Sequence, residues 1–483
     1  MLDWLERTPG AVALRWQGGD ITYGELAQRS GRTAAALVAR GIERGDRVAI
    51  LAYNCPEYLE LLFACARLGA VLVTLNWRLA PPEWKFILDH SGARLLVHDD
   101  EFTKQLDGLN LRLIRAGFDL CQGGEAPPIA GKTNDPLLLV YTSGTTGKPK
   151  GAVHTQATLV ANAAAGVEAH AMTAADRILT FLPMFHVGGL NNQTLPALSV
   201  GATVVLQSRF APDAALAAIE TEKPTIVLLV PAVMKALVEH PRFAAADLSS
   251  LRFAMAGSSV VPVELIRAFH KRGLPVGQIY GSTETGPVSI VLKREDALRK
   301  EGASGVPALG CAVRIVDDAG SDVAPGQSGE VLIKAPNLMI GYWQDPEATR
   351  AAIHEGWYRT GDIGRQDAEG FYWVDERKKD MIISGGENIY PAELEAVLDE
   401  CPDLAESAVI ARADPRWGEV PVAVVARRPG AGIEEGDVRR LFDGRLARFK
   451  HPHAVVFVDA LPRNVMGKVL RYRLREQFGS SSG

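Results

Sequence analysis

Hydrophobic and polar positions in the first part of the chain alternate in blocks that predict helices and strands in turn. Thr22-Tyr-Gly-Glu25 has the spacing of a helix capping box, and an amphipathic, alanine-rich stretch continues to Gly41. Apolar runs at 47–52 and 71–75 predict buried strands, and the segment 56–68 between them predicts a helix with proline in its first turn. A strand, a helix and a second strand in this order form a βαβ unit, which predicts a parallel sheet covered by helices.

The same alternation returns further along the chain, in predicted strands and helices at 202–206, 211–222, 225–230, 263–272 and 275–280. Between 308 and 334 the pattern changes to short alternating segments separated by turn residues, which predicts an antiparallel, barrel-like portion. After about residue 380, a compact pattern predicts a small α/β domain, with helices at 391–400 and 436–446 and strands at 406–411, 420–426 and 455–459.

These patterns predict an α/β fold in two domains. The large N-terminal domain, 1–378, is expected to contain helix-covered, mostly parallel sheets together with the small antiparallel barrel-like portion. The C-terminal domain is expected to span 379–478, and the glycine- and serine-rich tail 479–483 is predicted to be disordered. A chain of 483 residues is too long for one ordinary domain, which agrees with this division.

Composition and charge exclude several classes of partner. The chain is 47% hydrophobic and 23% charged, which is typical of a soluble globular protein. Its net charge of −5 comes from 52 basic and 57 acidic residues, so neither a nucleic-acid partner nor a membrane surface is predicted. Five cysteines without a C-x-x-C pair are typical of buried thiols in a reducing compartment. The start of the chain lacks a signal-peptide pattern and no apolar run approaches about 20 residues, so we predict a cytoplasmic protein without integral membrane association.

A segment rich in glycine, hydroxyl groups and lysine follows the apolar run 136–141, which itself predicts a buried strand. Its sequence is Tyr141-Thr-Ser-Gly-Thr-Thr-Gly-Lys-Pro-Lys-Gly151. Glycines let bare N–H groups approach an anion, hydroxyls add donors or metal contacts, and lysines supply countercharge, so the segment predicts a polyphosphate-binding loop rather than a flexible polar turn. It is not a Walker A loop, because Gly144 and Gly147 are three residues apart and Lys148 precedes a proline.

Three further segments place polar side chains beside apolar residues or glycines. In Phe181-Leu-Pro-Met-Phe-His-Val-Gly-Gly189, His186 lies between apolar residues and a glycine pair, where a lone histidine is usually a core residue. In Gly277-Gln-Ile-Tyr-Gly-Ser-Thr-Glu-Thr-Gly286, Tyr280 can stack on a purine and Glu284 can hold Mg²⁺. Asp362 ends the segment Trp357-Tyr-Arg-Thr-Gly-Asp362, which on its own indicates only a turn.

The C-terminal part of the chain contains three more segments of this kind. The charge run at 375–383 would ordinarily be a solvated face, but it lies at the predicted domain boundary. The segment 384–391 begins with Ser-Gly-Gly, and Leu461-Pro-Arg-Asn-Val-Met-Gly-Lys-Val-Leu470 contains Lys468 beside a glycine. A lysine in that position is ordinarily a surface charge, so its interpretation depends on the other segments.

Taken in order along the chain, these segments resemble the signature motifs of the adenylate-forming enzymes, a superfamily of acyl-CoA synthetases, luciferases and peptide-synthetase adenylation domains. The resemblance covers about residues 20–475 and is to acyl-CoA synthetases in particular. One departure lies in the charge run, which has Asp375-Glu-Arg377 where the family has Asp-Arg.

The resemblance implies a role for each segment. ATP or AMP would be bound by Thr142, Ser143, Gly144, Thr145, Thr146, Gly147, Lys148, Ser258, Gln278, Ile279, Tyr280, Gly281, Thr283, Asp362 and Arg377. Catalytic roles would belong to Lys468, His186 and Glu284, and Mg²⁺ would be held by Thr146 and Glu284. The acyl pocket would include His186, Val187, Gly188 and Gly281, and coenzyme A would contact Ser384, Gly385 and Gly386. The C-terminal domain would be mobile about a hinge at Lys379.

The implied reaction activates a carboxylic acid in two half-reactions. The carboxylate displaces pyrophosphate from ATP to give an acyl-AMP, and the thiol of coenzyme A then displaces AMP to give a thioester. Catalysis would come mainly from positioning and from electrostatic stabilisation of the phosphate oxygens. ATP, Mg²⁺ and coenzyme A are therefore expected, and Lys468 and the glycine loop at 384–386 would enter the site in turn.

The sequence constrains the acid less closely. The pocket segments that the resemblance indicates, 186–192, 256–260 and 278–289, contain no arginine or lysine, which disfavours a dicarboxylate. Gly188 and Gly189 leave room for a chain or a ring. A medium- or long-chain fatty acid is the favoured substrate at this point, with an aryl or cinnamic-type acid as the alternative.

Other functional classes fit less well. Adenylation domains that load amino acids use an aspartate after the histidine motif, where this chain has Leu190-Asn-Asn192. Luciferase-type oxygenases commonly end in Ser-Lys-Leu, which is absent here. A non-catalytic nucleotide or acyl-adenylate sensor is an alternative from another class, although Lys468, Glu284 and Asp362 are all retained. The oligomeric state stays open, with a homodimer as one option.

Overall fold

The computed structural model describes residues 1–119, 124–142, 149–258, 261–377, 381–462 and 469–480, and the side chains of 375–377 and 392 lie outside this description. The described α-helices are α1 (Asp3–Arg7), α2 (Tyr23–Ala39), α3 (Pro56–Leu68), α4 (Pro81–Ser91), α5 (Thr103–Asp107), α6 (Gln156–His170), α7 (Val187–Gly189), α8 (Leu195–Val200), α9 (Pro212–Glu222), α10 (Pro231–Val238), α11 (Val263–His270), α12 (Pro346–Ala352), α13 (Pro391–Asp399), α14 (Glu435–Arg440) and α15 (Arg471–Phe478).

The described strands are β1 (Val12–Trp16), β2 (Gly19–Thr22), β3 (Arg47–Leu51), β4 (Val71–Thr74), β5 (Leu95–His98), β6 (Ile114–Ala116), β7 (Pro136–Thr142), β8 (Lys150–Thr155), β9 (Arg177–Thr180), β10 (Thr203–Leu206), β11 (Ile226–Leu229), β12 (Phe253–Gly257), β13 (Val276–Tyr280), β14 (Ile290–Leu292), β15 (Val306–Pro307), β16 (Ala312–Val316), β17 (Gly329–Lys334), β18 (Gly341–Tyr342), β19 (Ile353–His354), β20 (Trp357–Gln366), β21 (Tyr372–Arg377), β22 (Ile382–Ser384), β23 (Glu387–Ile389), β24 (Leu404–Asp414), β25 (Gly418–Arg427) and β26 (Ala454–Val458).

The predicted βαβ unit is present, and local sequence explains its ends. At the start of α2, Thr22 Oγ1 accepts a hydrogen bond from Glu25 N at 3.1 Å, and the Glu25 carboxylate accepts one from Thr22 N at 2.8 Å. Helix α3 begins with proline and ends at Gly69, whose φ of 72° stops a right-handed helix. Strands β3 and β4 pair in parallel, which confirms the predicted connection.

All the described strands of the first 310 residues, β1–β15, belong to two large sheets. The nine-stranded sheet has the order β15-β14-β13-β12-β11-β9-β10-β1-β2, in which the six strands from β13 to β1 pair in parallel and the outer ones are antiparallel. The seven-stranded sheet has the order β18-β8-β7-β4-β3-β5-β6, with parallel pairing from β7 to β6. The central parallel strands β3, β4, β5, β11 and β12 are almost wholly buried, as expected for parallel sheets covered by helices.

The short alternating segments form the predicted antiparallel portion. Strands β16, β17, β20 and β19 are neighbours in a five-stranded sheet, and β21 pairs with β20. Pairing within it is antiparallel between β16 and β17 and between β17 and β20. Together with the two large sheets, this arrangement confirms the predicted α/β fold class.

The chain divides into two compact units, one of residues 1–77, 88–141 and 151–376, and the other of residues 78–87, 142–150 and 377–483. The second unit contains its own sheet of order β23-β22-β25-β24, with β26 parallel to β25, and its own core around Ile382, Leu394 and Phe442.

One predicted element is shorter than expected, because the helix predicted at 436–446 ends at Arg440. Gly444 in the following turn has a φ of 71°, which a right-handed helix does not accommodate.

The free thiols largely follow the prediction from sequence. Cys55, Cys65 and Cys401 are buried, whereas Cys311 is partly exposed, and Cys121 lies outside the described residues. Burial raises the pKa of Cys65 to about 12, so this thiol is a core group rather than a nucleophile. Among the described residues, none of the helices combines the length and the apolar character that crossing a membrane requires.

Candidate functional site

The predicted nucleotide-binding residues follow neighbouring parallel strands of the nine-stranded sheet. Gly257, at the end of β12, is the register partner of Ile279 in β13. A Cβ at Gly257 would lie only 2.4 Å from the carbonyl oxygen of Ile279, so the close approach of the two strands requires glycine there. Ser258 follows immediately with a φ of 76°, and Gln278, Ile279 and Tyr280 form the end of β13. Ligands of open α/β sheets bind at this carboxyl edge, where the resemblance also places ATP.

Tyr280 and Asp362 are brought together although they are 82 residues apart. The Tyr280 hydroxyl donates to Asp362 Oδ2 at 2.6 Å, and only 3% of Asp362 is exposed. Asp362 N in turn donates to Thr360 Oγ1 at 3.0 Å, and that hydroxyl donates to Val331 O at 2.7 Å. These bonds fix the predicted ribose carboxylate beside the predicted adenine platform.

Glu284 lies in a short 3₁₀ turn, Thr283–Thr285, directly after β13 and Gly281. The turn is tight, since a Cβ at Gly281 would lie 1.6 Å from the carbonyl oxygen of Pro287. The Glu284 side chain is 9% exposed, and its Oε1 accepts a hydrogen bond from the Tyr342 hydroxyl at 2.9 Å. Burial, followed by the nearby Glu284 charge, raises the pKa of Tyr342 well above its ordinary value, so the hydroxyl keeps its proton and donates.

Sequence reasoning missed two residues around this turn, Tyr342 and His154. His154 Nε2 donates to the carbonyl oxygen of Thr283 at 2.8 Å. Burial lowers the pKa of His154 to about 4, so the ring is neutral near pH 7 with its proton on Nε2. Neither residue belongs to a motif with Glu284, and they lie 58 and 130 residues from it along the chain, so local sequence carried no signal that pairs them.

The predicted acyl-pocket residue His186 begins a short helical segment. Its Nδ1 accepts from Gly188 N at 3.2 Å and so caps α7, which contains Val187 and Gly188. A π-helical turn, Leu190–Thr194, follows and is entirely buried. Asn191 Nδ2 in this turn donates to Gly286 O at 3.0 Å, which ties the histidine segment to the loop after β13. The structure thus places the predicted acyl residues beside the loop that contains Gly281, and π-helical turns are frequent at functional sites.

Four amide side chains near this edge of the sheet are buried with an unpaired polar atom. They are Asn191 Oδ1, Asn192 Oδ1 and Gln193 Nε2 in the π-helical turn and Gln278 Nε2 at the end of β13, which have no hydrogen-bond partner among the described residues. A buried amide without a hydrogen-bond partner costs about 1–3 kcal/mol, so most such groups in proteins bond to ordered water or to a bound ligand. Apart from the absence of an acid, no local pattern in the sequence pointed to the amides of the 190–194 turn as site residues.

The second unit holds the predicted coenzyme A loop in a tight hairpin. Gly385 and Gly386 join β22 to β23 with φ values of 59° and 86°, the conformation that a two-residue turn with positive φ at both positions requires. Gly385 N donates to Trp417 O at 2.8 Å, and a Cβ at Gly385 would lie 2.9 Å from the indole ring. The Arg416 guanidinium lies 4.7 Å from the centre of that ring. Trp417 is 39% exposed, and sequence reasoning missed this aromatic neighbour of the loop.

Several predicted site residues lie outside the described residues, and their roles stay predictions. They are Ser143, Gly144, Thr145, Thr146, Gly147 and Lys148 of the phosphate loop, the hinge Lys379, the catalytic Lys468 and the side chain of Arg377. Thr142, at the end of β7, is described, and its Oγ1 lies 3.5 Å from the carbonyl oxygen of Lys150.

The acidic residues present fit Mg²⁺ bound jointly with a nucleotide. Mg²⁺ is usually held by one or two carboxylates together with substrate phosphates and water, not by a cage of protein ligands. Among the described residues there is no group of three or more His, Cys, Asp or Glu that could hold a metal ion. Glu284 is a single buried carboxylate, and Tyr342 bonds one of its two oxygens, which suits a shared ion.

The helix-covered parallel sheets define an α/β protein of the kind that binds ligands at the carboxyl edge of its strands, where Tyr280 and Asp362 meet. The profile described as "AMP-binding enzyme" matches residues 2–343, and the profile described as "AMP-binding enzyme C-terminal domain" matches residues 393–468. The chain therefore belongs to the AMP-binding enzyme family, within the adenylate-forming acyl-CoA synthetase superfamily.

Relatives of known activity cover nearly the whole chain. Indoleacetate–CoA ligase of Aromatoleum aromaticum is 49% identical over 98% of this chain and 97% of its own length. Feruloyl-CoA synthase of an Amycolatopsis species is 43% identical over the same shares, and a long-chain-fatty-acid–CoA ligase of Mycobacterium tuberculosis is 36% identical over 99% of both. Among solved structures, a double mutant of o-succinylbenzoate–CoA synthetase from Bacillus subtilis, bound to a product analogue, has a TM-score of 0.91 at 34% identity and 98% coverage of both chains.

These relatives confirm the predicted superfamily and an AMP-forming acid–thiol ligase that acts on small molecules. ATP, Mg²⁺ and coenzyme A are used by adenylate-forming CoA ligases, as predicted, and one structural relative was solved with ATP and a magnesium ion. The fatty-acid substrate is not favoured, because the relatives of higher identity are named for indoleacetate and ferulate. The prediction relied on two glycines that leave room equally for a chain or a ring.

Proposed function

We propose that this acyl-CoA ligase activates a carboxylic acid that carries an aromatic ring, of the arylacetic or cinnamic type. The observation that supports this choice most strongly is the 49% identity, over nearly the full chain, to a ligase named for indoleacetate. The second relative, named for ferulate, also acts by name on an acid with a ring. The proposal replaces the fatty acid that the sequence alone favoured.

The buried amides of the site add a physical argument for such an acid. Asn192, Gln193 and Gln278 each keep one polar atom without a partner among the described residues. An alkyl chain could not pair these atoms, whereas a ring N–H or O–H can donate to an amide oxygen and a ring oxygen can accept from an amide nitrogen. A site built to hydrogen-bond its substrate rejects an analogue that lacks the group, because buried polar atoms are then left unpaired.

Each residue has a defined part in the proposed reaction. Tyr280 would stack on the adenine and Asp362 would accept from the ribose hydroxyls, while residues 142–148 bind the phosphates. Lys468 would bridge the acid and the α-phosphate. Glu284, with Thr146, would hold Mg²⁺, which supplies positive charge to the phosphate oxygens when it is bound.

A cytoplasmic location also stays a prediction, based on the cysteine content of the chain.

A panel of acids tests the proposal. The purified protein is incubated with ATP, Mg²⁺ and coenzyme A, and pyrophosphate release is measured for indole-3-acetate, ferulate, phenylacetate, decanoate and palmitate. We expect kcat/KM for the preferred aromatic acid to exceed that for either fatty acid by at least about tenfold, which corresponds to about 1.4 kcal/mol. Faster turnover of decanoate or palmitate would show that the aromatic assignment is wrong, and pyrophosphate release without thioester would point to a different acceptor.

A further inference from the structure

We propose that Tyr342 is a positioning residue for Glu284 and thereby sets the affinity of the enzyme for Mg²⁺ bound with ATP. The inference rests on the proposed ATP-dependent reaction, but not on which acid is activated. Its basis is a contact between a tyrosine and a carboxylate that lie 58 residues apart, on two different elements.

The hydroxyl of Tyr342 holds one oxygen of the carboxylate and leaves the other for the ion. The distance from Tyr342 Oη to Glu284 Oε1 is 2.9 Å, and no described residue forms a hydrogen bond with Oε2. A hydrogen bond to an ionised carboxylate is roughly twice as strong as one between neutral groups, so it selects one orientation of a side chain that could otherwise rotate. A carboxylate fixed in this way does not have to be ordered when the ion arrives, and hydrogen-bonded ligands bind metals more tightly for that reason.

The backbone on either side of Tyr342 holds the hydroxyl in place. Met339 N donates to the carbonyl oxygen of Glu284 at 2.8 Å, so the segment supports the backbone of Glu284 as well as its side chain. Ile340 N donates to Val153 O at 2.9 Å, and Tyr342 is the register partner of Ala152 in β8. Strand β8 is the strand that follows the predicted phosphate loop in the sequence. The segment 339–343 therefore joins the carboxylate turn to the strand after that loop.

Local geometry also explains why this segment keeps its conformation. Tyr342 N donates to Thr349 Oγ1 at 2.9 Å, so α12 holds the tyrosine backbone from the far side. Gly341 has a φ of 150°, and a Cβ there would lie 2.8 Å from a methyl carbon of Thr349. A side chain at this position would push the strand away from the helix, which is why the residue before the tyrosine must be glycine.

A purely structural role for Tyr342 is the competing explanation, since the ring packs against a small apolar cluster that includes Ala152 and Met339. Tyr342→Phe separates the two roles, because it keeps the ring and removes only the hydroxyl. Tyr372→Phe is a matched control. The hydroxyl of the buried Tyr372 donates to Val313 O at 3.1 Å in the small antiparallel sheet, so this variant loses a buried tyrosine hydroxyl but leaves Glu284 untouched.

The experiment compares the two variants with the unmodified protein in two measurements. Mn²⁺·ATP binding is measured by electron paramagnetic resonance without acid or coenzyme A, and the Mg²⁺ concentration for half-maximal pyrophosphate release is measured with saturating acid. We expect Tyr342→Phe to weaken Mn²⁺·ATP binding and to raise the Mg²⁺ requirement by about 10- to 100-fold, with the KM for the acid unchanged. Tyr372→Phe is expected to match the unmodified protein in both.

Unchanged metal–nucleotide binding in Tyr342→Phe would overturn the proposal, and so would equal losses in the two variants, which would indicate general destabilisation. Failure of the proposed function has a different signature. In that case the unmodified protein binds Mn²⁺·ATP but releases no pyrophosphate with any acid, and the binding comparison still decides the role of Tyr342.

Discussion

The hydroxyl of Tyr280 links two predicted parts of the adenosine site, because it donates to Asp362 Oδ2 at 2.6 Å. One tyrosine can thus serve twice, with its ring as a stacking surface for adenine and its hydroxyl as the support of the ribose carboxylate. Tyr342 and Glu284 form the same kind of pair, because the tyrosine hydroxyl again donates a hydrogen bond to a carboxylate oxygen. At this scale, we expect function to depend on single hydrogen bonds between residues that no motif pairs.

Tyr280→Phe separates these two uses of the side chain. The ring is retained, but the Asp362 carboxylate loses a charge-assisted bond worth about 1.5–3 kcal/mol, so we expect the KM for ATP to rise by about 10-fold or more with the KM for the acid little changed. Initial rates of pyrophosphate release over a range of ATP concentrations give both constants. An unchanged KM for ATP would mean that Asp362 is oriented without Tyr280.

His170 makes stability depend on pH. Its Nδ1 donates to Gly166 O at 2.7 Å at the end of α6, and burial lowers its pKa to about 4. A helix C-terminus favours a positive charge, but here burial outweighs that effect. The folded-state pKa of His170 lies below the unfolded value near 6.5, so the neutral ring adds its full share to the free energy of unfolding above pH 6.5. That share is lost as the pH falls toward 4, and the loss at pH 5 is about 2 kcal/mol.

His170→Asn keeps a side-chain N–H for Gly166 O and removes the titrating group. We expect the urea midpoint of the unmodified protein to fall more between pH 7 and pH 5 than that of the variant. Equal shifts in the two proteins would show that protonation of other groups controls acid stability.

At the scale of single elements, the π-helical turn Leu190–Thr194 is the feature that we expect to affect the predicted acyl site most. It is buried, and it is anchored by Asn162 Nδ2, which donates to Asn191 O at 2.7 Å, and by the bond from Asn191 to Gly286. Five-residue turns of this kind place consecutive side chains differently from an α-helix, and here they carry three adjacent amides. The turn is therefore a place where substrate selectivity can change without disturbing the sheet.

Asn192→Leu tests that selectivity. Leucine has a similar volume but cannot pair with a polar ring group, so we expect the ratio of kcat/KM for indole-3-acetate to that for phenylacetate to fall by about 10-fold, the effect of one lost hydrogen bond. Gln193→Leu, at the next position of the same turn, identifies which amide is responsible. If neither variant alters the ratio, the buried amides have no part in recognition of the acid.

At the scale of the whole molecule, each unit has its own core and its own charged network. In the second unit, Lys450 lies between two carboxylates, 2.6 Å from Glu83 and 2.8 Å from Glu393. All three side chains are nearly or fully buried, with exposures of 3% for Lys450, 10% for Glu83 and 4% for Glu393. Removing one member of such a group leaves uncompensated buried charge.

Lys450→Met is expected to lower the free energy of unfolding of the second unit by about 3–5 kcal/mol. Arg445→Met is a suitable comparison in the same unit, because the exposed pair of Arg445 and Glu400 should contribute about 0–1 kcal/mol. Urea unfolding of the full chain, followed by hydrogen–deuterium exchange of strands β24 and β25 in the second unit, reports the difference. Similar losses in the two variants would show that the buried lysine is not important for stability.

Lys468→Ala tests the predicted division of work between the half-reactions. By the resemblance to acyl-CoA synthetases, this lysine acts only in the first, so adenylation should fall by about 100- to 1,000-fold while supplied acyl-AMP is still converted to the thioester. Pyrophosphate release measures the first step and thioester formation from synthetic acyl-AMP the second. Equal losses in both steps would contradict alternation of the two units.

The α/β class, the βαβ unit at 47–75, the barrel-like strands and most element ends within a few residues followed from the sequence alone. Capping residues, glycines and apolar periodicity act over a few neighbouring positions, and their effect is visible without the fold. The nucleotide motifs followed from sequence for a similar reason, since each places its residues on one short loop. The helix predicted at 436–446 was too long because its apolar period continues past Arg440, whereas the backbone turns at Gly444.

Only the tertiary structure decided which distant residues meet. Tyr280 and Asp362, Tyr342 and Glu284, and Lys450 and Glu83 are separated by 82, 58 and 367 residues, and their contacts depend on which strands become neighbours. The burial of the amides after His186 is also a property of the fold, because the same residues on an exposed turn would be solvated. Local sequence therefore determined the elements, and the resemblance of its motifs to the adenylate-forming enzymes indicated the class of reaction. Strand order and burial decided which distant residues become partners.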